Sequence, residues 1–490
     1  MSTSEGTSPS QSGDIHTIED SLQPVPESAR RADLSGQFWI WAGANIAPIN
    51  WVLGALGINL GLGLVDTVVV IALGNFIGMS MFGFFVLLGQ RTGATGMVLS
   101  RAAFGRRGAY LPAGVQALLS IGWCAINTWI ILDLVVTLFG QLGWVDPESH
   151  NYGVRIAVAA VIMLIQVIIS WLGYGAISAF ERWTVPPTLF VLIVMSIAAW
   201  GFMDINWSYA GPPEGALQGW DRWAMLTAVM TAIGIGWGVT WFTYAADYSR
   251  FVTRKVKPSK LYLASAAGQF IPVVWLGLLG ASLATKNQAV DPGQLIVDNF
   301  GSLAIPVLLL VVHGPIATNI LNIYTFSVAT QAMDVKVGRR TLSVIVGVFA
   351  MAVVVFFIYQ TDFAAVLDTW LVTLVAWVAT WGGIMLVHWY WLEKDRDDVT
   401  ALFDPVGSKR LPDFNIAGYA AFFIGMVGTW LFMYGLVPAA QGPIARAMHG
   451  IDLSWLAGLV VAAGVYAIMG PRAYAPYRQH SRSSEHERLH

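Results

Sequence analysis

Cysteine occurs once in this chain, at Cys124, so no disulfide can form within it. Charge is also scarce. Asp, Glu, Lys and Arg make up 11% of the residues against 56% hydrophobic, and the mean hydropathy of +0.62 puts most of the chain in hydrocarbon rather than water. The net charge of −2 carries no information about partners, because the charges are partitioned into loops and tails. Three motifs are missing: a phosphate-cradling loop of the Walker type, a zinc spacing of Cys and His, and a Gly-x-Ser-x-Gly elbow. Neither nucleotide-driven pumping nor membrane hydrolysis has a motif behind it. The chain is therefore read as a non-enzyme without a cofactor, driven by an ion gradient, and nothing in it points to nucleic acid.

What is present is a polytopic membrane protein. Residues 1–36 are polar, rich in Ser, Glu and Pro, and lack the basic region and short apolar core of a cleavable signal. They are expected to be a disordered cytosolic tail, with residues 37–470 forming a twelve-helix membrane domain and 471–490 a second cytosolic tail. Apolar stretches of about 20 residues place twelve spans near 37–64, 66–89, 110–139, 154–174, 184–203, 223–247, 261–284, 301–329, 341–360, 363–390, 413–436 and 453–470. Arg91, Arg101, Arg106 and Arg107, then Arg250, Arg254, Lys255, Lys257 and Lys260, then Lys336, Arg339 and Arg340 fall in alternate loops. The intervening loops are poor in positive charge, so the basic loops and both termini are expected on the cytoplasmic side of a cytoplasmic (inner) membrane.

Two spans are unusual. The first carries Gly43, Ala44, Asn45, Pro48 and Asn50 in mid-span, and the sixth carries Gly234, Gly236, Trp237, Gly238 and Trp241 before the polar string Tyr244 to Arg250. Glycine lets the backbone leave the helix at little steric cost, and inside a bilayer such a break survives only where the freed amides face a cavity or ligand. Interrupted spans at matching places in two successive five-helix blocks point to an inverted-repeat transporter, with its solute at the midplane between the broken segments. The fold expected is therefore all-α: two inverted five-helix repeats plus two C-terminal helices.

Polar groups inside the spans narrow the chemistry. Trp123 and Asn127 are four apart on the third span and share a face. An indole face stacks on a planar ligand, and an Asn amide offers both donor and acceptor to a heterocycle's edge; ordinary packing and interhelical bonding are the other reading. The eighth span carries His313, Gly314, Thr318, Asn319, Asn322 and Tyr324 in an otherwise apolar run. Unpaired polar groups are costly in hydrocarbon, so these face protein, water or ligand. Asn319 and Asn322 share a face and suit a planar solute or a neighbouring helix. The Thr318 hydroxyl, with carbonyls around Gly314 and those of Trp41 and Ala44 on the first span, offers hard oxygen ligands to a cation. His313 is read as a neutral, hydrogen-bonded histidine rather than a proton carrier. Asp247 with Arg250, and Glu181 with Arg182, are read as braces near the membrane edge.

These residues resemble the nucleobase:cation symporter family, in its purine and cytosine permease branch, over about residues 24–470. The likeness rests on Pro24 to Arg31 before the first span, Arg101-Ala102-Ala103-Phe104-Gly105 after the second, Glu181-Arg182-Trp183, and Tyr244 to Arg250. It implies a leucine-transporter-like fold and a symporter for cytosine, purines, uracil, allantoin, hydantoins or thiamine precursors. It also implies that aromatics on helices three and six sandwich the base while amides on helices three and eight bond its edge. By motif the helix-three pair is Trp123 and Asn127. The helix-six position falls at Gly238 beside Trp237, within the Gly236-Trp237-Gly238 run, and Trp237 is taken as the aromatic. The family's two adjacent hydroxyl ligands for sodium fall at Ala317 and Thr318, so one is missing here, and the co-transported ion, Na+ or H+, stays open. The resulting expectation is import of a nucleobase, cytosine or a purine, by cation-coupled alternating access across a lipid bilayer; a related planar heterocycle, or a passive solute channel, is the alternative.

Overall fold

The computed structural model describes residues 22–146, 151–172, 174–287, 292–360, 363–394 and 398–488. Residues 1–21 of the expected tail, and the side chains of Glu181 and Arg182, lie outside the described residues. Among the described residues ten helices are long and apolar enough to cross a membrane. They begin with Leu64–Thr92, Tyr110–Gln141, Tyr152–Leu172, Tyr174–Phe202 and Gly219–Ser249. They continue with Pro258–Asn287, Ala304–Ala332, Arg339–Ile358, Phe363–Val387 and Ser454–Arg488. With the split first span and the shorter Ile416–Leu431 they make twelve, as expected. The fifth begins ten residues earlier than its hydropathy suggests, at Tyr174, and the twelfth runs past residue 470 to Arg488. Leu118, Phe190, Val348, Phe349 and Ile468 are among the large apolar side chains exposed on the outer faces of the spans, which suits surfaces that meet lipid rather than water.

The neighbour relations carry the symmetry. The second span packs on the sixth as the seventh packs on the first; the third packs on the ninth as the eighth packs on the fourth; the third meets the eighth and the fourth meets the ninth. Replacing each span by the one five places along leaves these relations unchanged. Since five is odd, the two blocks run through the layer in opposite directions, which makes the repeat inverted. The eleventh and twelfth spans pack on each other and on the tenth, outside the repeat.

The first span is broken outright. Leu34–Asn45 ends at Ile46, the chain extends at Ala47, and a new helix runs over Pro48–Asn59. Pro48 sits at its first turn, where a missing N–H costs nothing. Asp33 caps the first half by accepting from Gly36 N at 2.7 Å. The sixth span differs from expectation, because its glycines do not unwind it. It passes through a π-helical stretch over Met230–Ile235, and a tight turn at Trp241 separates Gly236–Thr240 from Phe242–Ser249. Its glycines serve packing instead. A Cβ on Gly234 would lie 2.8 Å from the Val70 carbonyl, and one on Gly238 would lie 2.8 Å from the backbone of Gly78, so the second and sixth spans approach backbone to backbone.

Candidate functional site

The third, sixth and eighth spans meet beside the break in the first, and a small internal cavity lies there. Trp123, Asn127, Trp237, Thr240, Trp241, Tyr244, Thr318 and Asn322 line it. Its volume of ≈ 10 Å³ holds about one water molecule. The Trp123 and Trp237 rings are 5.3 Å apart at 89°, edge to face. A planar solute reaches a sandwich between them only if one ring turns. Gly236 and Asn319 are buried but lie outside this lining.

Asn319 is occupied by other helices. Its Nδ2 donates to Cys124 O at 3.0 Å, Thr128 Oγ1 at 3.2 Å and Gln166 Oε1 at 3.0 Å. Its Oδ1 accepts from Asn127 Nδ2 at 3.0 Å and Asn322 Nδ2 at 3.2 Å. Both ends of its amide are therefore spent on protein, and its effect on the cavity is to orient the two amides that do line it. A buried network this connected restricts its members' rotamers, although Gln166 Nε2 is left without a partner in it. Tyr244 adds a further bond, donating its hydroxyl to Asn322 Oδ1 at 3.1 Å.

The two interrupted spans touch through Trp237 Nε1, which donates to Asn45 Oδ1 at 2.9 Å. Asn45 also donates to Trp41 O at 2.8 Å, and Asn50 donates to Asn45 O at 2.5 Å. The Asn50 side-chain amide thus satisfies the Asn45 carbonyl at the break, the condition under which irregular backbone survives at this depth.

Beside the cavity, the Thr318 hydroxyl lies 3.0 Å from Ala44 O and 3.1 Å from Gly314 O. Gly314 is required by close approach, since a Cβ there would lie 2.7 Å from Ile46 O. Hydroxyl and carbonyl oxygens from two spans therefore converge, a donor set suited to a hard cation. Ala317 is buried alongside and contributes no oxygen, while the Trp41 carbonyl is engaged by Asn45. Among the described residues no cluster of three His, Cys, Asp or Glu side chains could hold a metal.

His313, Asp247 and Arg250, also singled out above, bond neighbouring spans and loops. His313 Nδ1 sits 3.2 Å from Thr188 Oγ1, and its ring lies on Phe180 at 5.1 Å. Asp247 accepts from Gly96 N at 3.0 Å, whereas Arg250 reaches Tyr324 OH at 3.0 Å. Each holds a different neighbour at the basic end of the sixth span.

Sequence reasoning missed Thr240, Trp241 and Tyr244 in the lining, and Asn45, Thr128 and Gln166 in the network. One signal was available. Trp237, Trp241 and Tyr244 recur at helical spacing on one face, and the glycines between them drew attention to the backbone instead.

Comparison with known proteins agrees with this architecture. Residues 24–458 match the family model described as permease for cytosine/purines, uracil, thiamine, allantoin. A putative purine-cytosine permease, YxlA, of Bacillus subtilis is 25% identical across 92% of this chain and 95% of its own length. The purine-cytosine permease FCY21 of Saccharomyces cerevisiae is 26% identical across 92% of this chain and 85% of its own. The closed, bromovinylhydantoin-bound structure of Mhp1, a nucleobase-cation-symport-1 family transporter, superposes with a TM-score of 0.72 at 17% identity, covering 92% of this chain and 95% of that one. That likeness establishes the leucine-transporter-like fold. With a family match over most of its length, the chain belongs to the permeases for cytosine/purines, uracil, thiamine and allantoin, a family of membrane transporters rather than enzymes.

Proposed function

We propose that this permease imports a nucleobase, cytosine or a purine, by cation-coupled symport and alternating access across the cytoplasmic membrane, with the basic loops and both termini inside. The observation that carries the reading is the cavity itself: indoles from two spans and amides from two spans converge where the first span is broken. Trp123 and Trp237 take the base's faces after one ring turns. Asn127 and Asn322 bond its edge, held in register by Asn319 and Tyr244. Gly236 adjoins Trp237 on the same span, and a Cβ there would lie 2.8 Å from Thr231 O.

The co-transported ion is written as a second cargo. Thr318 Oγ1 with the carbonyls of Ala44 and Gly314 forms the core of its site, next to Trp41 and Ala317. Because one wall of the base cavity and the ion's oxygen set share Thr318, binding of one cargo orders a side chain that the other needs, which couples the two. Uptake of radiolabelled cytosine into proteoliposomes under separate sodium and proton gradients, with adenine, hypoxanthine, uracil, allantoin and a hydantoin as competitors, tests the reading. Gradient-driven accumulation blocked by one of these supports it. Equilibration without accumulation points to a passive channel, and no uptake of any of them removes the nucleobase class.

A further inference from the structure

Below the cavity, toward the basic loops, one buried amide makes no hydrogen bond to the protein. Gln116 is fully buried, and neither its Oε1 nor its Nε2 has a protein partner. A buried amide left unbonded is costly, by more than an ordinary hydrogen bond is worth. Its position explains the expense. Gln116, Ser120, Trp123 and Asn127 follow one another at four-, three- and four-residue steps on the third span, so they share one face. The stripe that carries the cavity's indole and amide therefore continues about 10 Å further toward the basic loops, at 1.5 Å per residue.

The facing spans continue in the same way. On the sixth, Tyr244 and Tyr248 extend the row of Trp237 and Trp241; on the eighth, Thr325 extends the row of Thr318 and Asn322. The Tyr244 phenol, which bonds Asn322, lies beside the Ser120 and Gln116 side chains. The Thr325 hydroxyl, like Gln116, has no protein partner. Tyr244 thus stands between the cavity and a second polar patch, in which Gln116 and Thr325 are left unsatisfied while the Ser120 hydroxyl donates to Gln116 O.

We propose that Gln116, with Ser120 and Tyr244, forms a second, transient subsite for a planar heterocycle bearing adjacent N–H and C=O or ring-nitrogen groups, which it occupies between the central cavity and the basic face. The proposal rests on the nucleobase reading above. A glutamine amide presents one donor and one acceptor side by side, the complement of such an edge. Rotation of the Tyr244 phenol off Asn322 joins the two sites, and Gln116 takes over the solute's edge as Asn127 and Asn322 release it.

The test compares wild type with Gln116→Met, which keeps the side chain's length, and Gln116→Asn, which keeps the amide. Equilibrium binding of cytosine to purified protein reads the central site; cytosine efflux and exchange in oriented vesicles read passage through the basic face. For Gln116→Met the expected result is an unchanged dissociation constant with efflux and exchange slowed about tenfold, the loss of one amide contact, and partial recovery in Gln116→Asn. Melting should not fall in Gln116→Met, since the amide it removes is unbonded. Wild-type efflux in Gln116→Met, or a loss of binding and of melting temperature together, overturns the subsite. Wild-type protein that neither binds nor moves any base overturns the nucleobase reading, and the subsite with it.

Discussion

The indole N–H of Trp237 donates to the side-chain oxygen of Asn45 at 2.9 Å, joining the sixth span to the break in the first. In the same residue, Asn45 Nδ2 satisfies the carbonyl of Trp41. One amide therefore holds both the ring that faces the cavity and the end of the helix that carries the proposed ion ligands. Trp237→Phe keeps a ring in place and removes the donor, which leaves Asn45 Oδ1 unsatisfied. The expected cost is about 1–3 kcal/mol, read as a lower melting temperature together with weaker base binding. Unchanged melting would show that the bond contributes nothing to stability.

Asn127 and Trp123 separate edge recognition from stacking. Asn127→Ala should weaken base binding by about 1–3 kcal/mol by leaving a polar group of the base unpaired. It should also loosen Asn319, whose Oδ1 loses a donor. Trp123→Ala should cost about 1–3 kcal/mol in stacking, but similarly for every base, since every base has a π-face. Competition curves with several bases distinguish the two: a selectivity change belongs to Asn127 and a uniform loss to Trp123.

Ala317→Ser restores a second hydroxyl next to Thr318. Hard cations gain affinity with each added oxygen ligand, so half-maximal uptake should shift to lower sodium concentration. Thr318→Val, which keeps the shape and loses the oxygen, should shift it the other way or remove sodium dependence altogether. Uptake measured against sodium at fixed pH reads both variants. No response to sodium in wild type or in Ala317→Ser would remove sodium as the coupled ion.

On the basic face, Asp334 accepts from Arg106 at 2.8 Å through each carboxylate oxygen and is bonded by Tyr110. Burial pushes its carboxyl up, but the bonds from Arg106 and Tyr110 and the charges of Arg106 and Arg101 outweigh it, leaving it below the usual 3.8. A lowered carboxyl stabilises the fold fully above its unfolded value and loses that contribution as pH falls through the folded one. Melting should therefore hold steady from pH 7 to about 5 and decline below about 4. Asp334→Asn, which tolerates the same left-handed backbone (φ 63°), should be less stable at neutral pH and decline less in acid.

Gly238→Val places a branched side chain where a Cβ already lies 2.8 Å from the backbone of Gly78. Backbone cannot move aside as a side-chain tip can, so the second and sixth spans must separate. Folded yield and melting temperature should both fall, and uptake should fall with them. Normal uptake would show that the two spans are further apart in the working protein.

Much of this protein is local and therefore legible. Hydropathy set the spans, because a helix in hydrocarbon must be apolar over its own length whatever its neighbours. The break in the first span was readable from Asn45 and Pro48, since proline fixes where a new helix can start. The glycines of the sixth misled for a physical reason: glycine serves both unwinding and close packing, and only the position of Gly74 and Gly78 opposite them decides for packing.

The candidate site divides along the same line. Trp123 and Asn127 share a face by spacing alone, and Thr318 was placed near Ala44 by the expectation that a buried hydroxyl meets the carbonyls where the first span breaks. Which amides meet solute and which are spent on protein was decided by the fold, because Asn127 and Asn319 are 192 residues apart and Asn319 and Gln166 are 153 apart. Sequence by itself determined the membrane class, the number of spans and the residue types available to bind a flat polar solute. The tertiary structure alone decided that Asn319 is an orienting residue, that Tyr244 closes the cavity floor and that Gln116 is left unbonded. Hydrogen bonds are short and directional, and their partners here come from segments that no local pattern connects.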